Sequence, residues 1–238
     1  MPNAVAVMSL LSILLTAFLL VLIVAGALWA YSAFEQKRQE ELEALAARRG
    51  WSMTVTRQSL GRPSILRLTP RSGQSWQVEV RHSSTRSLQS GRGTTLFHAP
   101  ATKWEGDILV IGPPQTPEGM DMSETIMRQF DNQIARTLIR NVVGPSGAAD
   151  YPDLTAWDAP EGIALFASAD PAKRTDIKDF TSIFVAADGE RHSGADEATA
   201  LVDGEGLRVG KGHSIRNAAK LEAFVDFAIS LNRHLSRP

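Results

Sequence analysis

The hydrophobic pattern divides the chain near residue 33. From Ala4 to Tyr31 every side chain is apolar or glycine except Ser9, Ser12 and Thr16, and no Asp, Glu, Lys or Arg occurs before Glu35. A helix of about 20 apolar residues crosses the hydrocarbon of a bilayer, so this run predicts a transmembrane segment with length left for tilt. A cleaved leader would need a basic start and an apolar core of roughly 7–15 residues before a small-x-small site. Only that site is present, at Ala25-Gly26-Ala27, and "MPNAVAV" carries no Lys or Arg. The expectation is an uncleaved anchor over 1–33.

The next segment, "FEQKRQEELEALAARRG", predicts a juxtamembrane helix over 34–50. Strong helix formers fill it, Lys37 and Glu41 are four apart, and Gly50 is placed to end it. Its apolar face is narrow, Leu42, Leu45 and Ala46, enough to pack on its own domain or to pair weakly with a second copy, and too short for a heptad pattern.

From Trp51 the period changes to two. "WSMTVTR" puts Trp51, Met53 and Val55 on one side, and "SILRLTPRSGQSWQVEV" reads as a hairpin with Trp76, Val78 and Val80 on one face of its return strand. "TTLFH" and "GDILVIG" are further strands, the second a continuous apolar run suited to a buried position. A helix follows, with capping-box spacing at Asp121 and Glu124, a stripe of Ile126, Met127, Phe130, Ile134 and Leu138, and a stop at Gly144-Pro145. "GPSGAADYPDLTAWDAP" has the composition of a linker. Beyond it "GIALFAS", "TSIFVAA" and "GLRVG" read as strands. Ile215 to Leu235 reads as a helix burying Leu221, Phe224, Val225, Ala228, Leu231 and Leu235.

The predicted class is therefore α+β: one transmembrane helix, then antiparallel-rich strands with two main amphipathic helices. The expected divisions are a first module over 51–144, a linker over 145–160 and a second module over 161–238. Both modules run from an apolar strand ending in glycine, "DILVIGPP" and "GLRVGKG", into a helix. That order admits a tandem duplication, and it also recurs in α+β chains by accident.

Charge adds orientation. Residues 35–100 hold 11 Lys/Arg against 5 Asp/Glu, 101–170 hold 4 against 11, and 171–238 hold 10 of each. Lys37, Arg38, Arg48 and Arg49 form a basic collar on the C-terminal side of the anchor, and such residues favour the cytoplasm and an anionic membrane surface. The expected location is a bacterial inner membrane, single-pass, with the N-terminus outside and the C-terminal part cytoplasmic. The formal net charge of −1 argues against nucleic acid as a partner.

Candidate chemistry changes the picture little. "SGRGTT" and "GKGHS" hold glycines that could cradle an anion, yet neither completes the phosphate-loop pattern, and turn formation is the expected use. His82, His98, His192, His213 and His234 are scattered without ligand spacing, and the chain has no cysteine to complete a zinc site. "DGERHSGADE" gathers carboxylates around His192 without calcium-loop order and reads as a solvated turn. Ser146 lacks a nucleophile elbow. Trp51, Trp76, Trp104 and Trp157 are expected in the core. No catalytic residue, cofactor site or metal site is assigned from the sequence.

One feature points outward. Ser9, Ser12, Thr16, Gly26 and Ala30 share one helical face with Leu19 and Ile23, and such a stripe lets a second transmembrane helix approach closely. The alternative is that the hydroxyls bond their own helix backbone and the stripe faces lipid. The function expected is a non-enzymatic accessory or assembly subunit, bound to another membrane protein or to a second copy through its anchor. The competing expectation is a membrane-attached enzyme or small-ligand sensor whose site has no sequence motif.

Overall fold

The computed structural model describes residues 3–56, 64–73, 75–82, 93–100, 107–113, 124–159, 163–169, 181–184 and 194–235, with side chains for all of these except 3–14, 124–132, 145 and 146. It divides into two compact units, Met1–Ala44 and Leu45–Pro238.

The first unit consists of most of helix α1, Asn3–Arg48. Its segment from Leu15 is long and apolar enough to cross a membrane, and the apolar window is not buried at all. Leu15, Phe18, Leu22, Leu28 and Trp29 all present more than half their surface, as a helix does when no protein covers it. Beyond the apolar run, Arg38 pairs with Glu35 at 2.6 Å, and Gln36 and Gln39 donate to Glu40 and Glu43 one turn on.

The second unit is built on one nine-stranded antiparallel sheet. In chain order its strands are β1 (Trp51–Thr56), β2 (Ile65–Pro70), β3 (Gln77–Arg81), β4 (Thr94–Pro100), β5 (Leu109–Gly112), β6 (Thr155–Trp157), β7 (Ala164–Ala167), β8 (Thr199–Asp203) and β9 (Gly206–Lys211). Their spatial order is β1-β2-β3-β4-β9-β8-β5-β7-β6. The hairpin read from the sequence is β2–β3, with Leu68 opposite Val78 and Leu66 opposite Val80. Val78 and Val80 are fully buried and Trp76 nearly so. The continuous apolar run "LVIG" is β5, buried at every position between β8 and β7, as expected of a strand covered on both faces.

Helix α2, Glu124–Gly147, covers one face, where Ile134, Ala135, Leu138, Ile139 and Val142 pack with Val110, Phe166 and Leu201. Its regular course is broken at Gly144, φ 85° and ψ 171°, at the expected Gly-Pro stop. Asp121, and the side chains of Ile126, Met127 and Phe130, lie outside what is described. Helix α3, Ala218–Leu235, serves the other face, with the Lys211 ammonium 5.8 Å from the Phe224 ring centroid. Asn217 caps it through Oδ1, which accepts from the Lys220 N–H at 3.0 Å. Leu221, Phe224, Val225, Ala228 and Leu231 are buried as read from the sequence, joined by Phe227; Leu235 is only half-buried.

Three readings change. Strands from both sequence halves share the one sheet, β4 pairing with β9 and β5 with both β7 and β8, so it does not separate into two tandem modules. The two glycine-ended strands have a common packing cause: a Cβ on Gly112 would stand 2.7 Å from Leu138 Cδ2, and one on Gly210 would stand 3.0 Å from the Asn141 carbonyl oxygen and 3.3 Å from Val142 Cα. Both glycines admit the same helix, α2. Thr181–Phe184, expected within a strand, forms a helical turn in which the Phe184 N–H donates to the Thr181 carbonyl at 3.0 Å. Phe184 is fully buried with its ring edge-on to Phe227 at 5.1 Å, so docking on α3 overrides the β-propensity of "TSIF". Finally, β8 and β6 are additional strands, β6 within the segment read as a linker.

Candidate functional site

On α1, Thr16, Leu19, Ile23, Gly26 and Ala30 are all exposed, and a Cβ on Gly26 would meet nothing within 4 Å. The side chains of Ser9 and Ser12 lie outside the described residues. Ser32 Oγ donates to the Trp29 carbonyl at 2.8 Å, so that hydroxyl is used by its own helix.

The four collar residues separate. Lys37 and Arg38 belong to the first unit, whereas Arg48 and Arg49 belong to the second. There Arg48 Nη2 donates to Glu222 Oε2 at 2.8 Å, and Arg49 pairs with Glu222 at 3.5 Å and with Asp226, all on α3. The Arg49 guanidinium also lies over the Trp51 indole, 5.4 Å from its centroid.

A dense polar cluster among the described residues of the second unit was not visible as a motif. Tyr151 follows a 3-10 turn, Ala148–Asp150, that continues from α2, and Asp203 and Arg208 flank the tight β8–β9 turn. Tyr151 OH donates to Asp203 Oδ2 at 2.7 Å and accepts from Arg208 Nη1 at 3.1 Å. Arg208 Nη2 donates to both Asp203 oxygens, at 3.2 and 3.0 Å, and the Glu205 N–H reaches Oδ1 at 2.9 Å. Burial, and then the hydrogen bond to Asp203, push the Tyr151 hydroxyl up to about 12. A cavity of about 470 Å³ adjoins, lined by these residues with Ile108, Val143 and Asp150. Its chemistry is inward-turned: the Asp203 carboxylate already accepts from Tyr151, Arg208 and a backbone N–H, and a tyrosine held protonated is a donor, not a base. The cluster clamps the hairpin turn to the end of α2.

The two glycine-bearing stretches singled out in the sequence meet. Thr95 Oγ1 donates to the His213 carbonyl at 3.0 Å and accepts from the Ile215 N–H at 2.9 Å, so the polar groups at this junction satisfy one another. Ser90, Gly91 and Arg92 lie outside the described residues. His213 Nδ1 is 3.2 Å from Glu197 Oε2. His192 and Asp188 to Arg191 are also outside the described residues; in the rest of that stretch residues 194–197 form a turn with Asp196 and Glu197 exposed, as expected, and with Ala195 fully buried. Trp51 and Trp76 lie in the core, edge to face at 5.5 Å, Trp157 is half-buried, and Trp104 is outside the described residues. Among the described residues no group of three or more His, Cys, Asp or Glu could hold a metal ion.

No family model, no curated protein and no solved structure matches this chain.

Proposed function

We propose that this is a single-pass, membrane-anchored interaction protein, an accessory or assembly subunit whose partner is engaged through α1 in the bilayer. The observation that carries the reading is the bare apolar face of α1 from Leu15 onward. Association within a bilayer rests on close packing, which the stripe of Thr16, Gly26 and Ala30 favours. Trp29, Tyr31 and Phe34, exposed at the end of the apolar run, suit an interfacial belt. Ala25-Gly26-Ala27, the triplet a cleaved leader would need, lies inside continuous helix. The collar then orients the second unit to the cytoplasmic side of a bacterial inner membrane.

Assigning the partner contact to α1 follows from a contrast. Among the described residues beyond α1, Val55 is the one exposed large hydrophobic side chain, so the second unit offers no broad apolar docking face there. The same contrast favours, as a second reading, a small-ligand sensor built on polar recognition. Purification of the tagged full chain from its native membrane in mild detergent, with mass spectrometry of bound proteins, separates them. A membrane protein at fixed stoichiometry supports the subunit; recovery of the chain alone contradicts it and favours the sensor.

A further inference from the structure

The second unit carries a groove of about 820 Å³ that the anchor reading does not use. One wall is the end of α1 and start of β1, Arg48 to Trp51; the second is the β2–β3 turn with Ser72 and Trp76; the third is α3. Asp226, Ile229 and Arg233 follow one another at helical spacing along that third wall.

Three arginines, Arg48, Arg49 and Arg233, line the groove. Two are fixed by carboxylates: Arg48 by Glu222, and Arg49 by Glu222 and Asp226. The Arg233 side chain is exposed and makes no ion pair or hydrogen bond with any described residue. Counting Glu222 with the lining, the groove holds one cation in excess.

The indoles beneath are not free to stack on a ligand. Trp51 has Arg49 over its face and Trp76 edge-on, and Trp76 is stacked on Phe97 at 5.8 Å. Trp51 and Trp76 are 5% and 6% exposed, so they form a rigid floor and not a platform for a base or sugar ring. Recognition therefore falls to the guanidinium forks and the Ser72 hydroxyl.

We propose that this groove is a binding site for a phosphate group, held by Arg233, Arg48 and Arg49 with Ser72 as an added donor. A carboxylate is the poorer match, because Glu222 and Asp226 already supply that chemistry to two of the three arginines. A phosphate has oxygens directed to several sides, so it can accept from more than one guanidinium while those pairs stay in place. The phosphate can belong to a lipid headgroup or to a soluble phosphate ester. The proposal stands independently of what α1 contacts.

The test titrates the full chain, in neutral maltoside micelles at low ionic strength, with inorganic pyrophosphate and separately with dihexanoyl phosphatidic acid, followed by calorimetry. Saturable binding of pyrophosphate indicates a soluble phosphate ester, and binding of the short-chain lipid alone indicates a headgroup; either supports the site. In both cases Arg233→Gln weakens binding by about 10-fold, as loss of a charged hydrogen bond should, and leaves the thermal unfolding midpoint unchanged. Ser72→Ala weakens it less, and Arg140→Gln, exposed on α2, does not change it. Absence of saturable binding to either probe, or an Arg233→Gln variant that binds like the parent, overturns the proposal.

Discussion

The Ile215 N–H donates to Thr95 Oγ1 over 2.9 Å, joining residues 120 positions apart in a buried contact, and the same hydroxyl reaches the His213 carbonyl. This contact fixes the approach to α3 against the middle of the sheet. Replacement Thr95→Val keeps the shape and leaves a buried N–H without its acceptor. It should cost about 1–3 kcal/mol in urea unfolding, with Thr95→Ser well below that. Equal stability of Thr95→Val and the parent would show that the contact adds nothing.

Gly210 lies where α2 comes closest to β9. Gly210→Ala should destabilise by about 1–3 kcal/mol, because the obstacle is backbone at Asn141 and Val142. Gly112→Ala should cost less, since Leu138 Cδ2 can rotate away. The two unfolding midpoints test the order; a larger loss at Gly112 would place the tight approach elsewhere.

Tyr151 gives a signature in alkali. Its folded hydroxyl titrates near 12 against an ordinary 10.0, so the folded state holds the proton more tightly. The resulting stability is complete below pH 10 and is lost as pH rises from 10 to 12. The parent and Tyr151→Phe should therefore differ in alkaline slope, and the absorbance of tyrosinate should show one late-titrating group. Identical slopes would contradict the clamp.

Glu79 acts at the other end of the scale. Burial pushes its carboxyl up, but hydrogen bonds and charge from Arg81 and Arg67, the latter at 3.0 Å across the β2–β3 pair, outweigh it and hold the carboxyl below its usual value of 4.5. Stability from this group is present above the unfolded value and disappears as pH falls through the folded one. Glu79→Gln should flatten the acid limb by less than about 1 kcal/mol, as suits partners that are half-exposed.

The stripe on α1 can be tested by substitution, and at Gly26 an added side chain meets nothing within 4 Å. The triple change Ser12→Leu, Thr16→Leu and Gly26→Leu should release a co-purifying membrane partner while leaving the protein in the membrane fraction. Retention of every partner would refute the packing face.

What was legible in the sequence was whatever one segment decides for itself. The uncharged run to Tyr31, the β2–β3 hairpin and the buried stripe of α3 each follow from local period. Strand β8 was not among the strands read from the sequence although Asp203-Gly204 supplies a hairpin signal, because the short "TALVD" follows directly on the charged "ADEA" and shows no clear alternation. "TSIF" misled because its fate is set by Phe227, more than forty residues on. The Tyr151–Asp203–Arg208 clamp and the arginine groove were invisible for the same reason: sheet order and α3 assemble them from segments with no common spacing. The central sheet order, with β9 inserted beside β4, is likewise a tertiary outcome.

The proposed subunit role requires α1 to be a retained membrane anchor. The decisive measurement is alkaline carbonate extraction of native membranes, followed by peptide mapping of the protein's N-terminal segment. The prediction is a protein that stays with the lipid and keeps the residues before Ala27. A carbonate-soluble protein beginning just after Ala27 would contradict the anchor, the packing stripe and the proposed subunit role together.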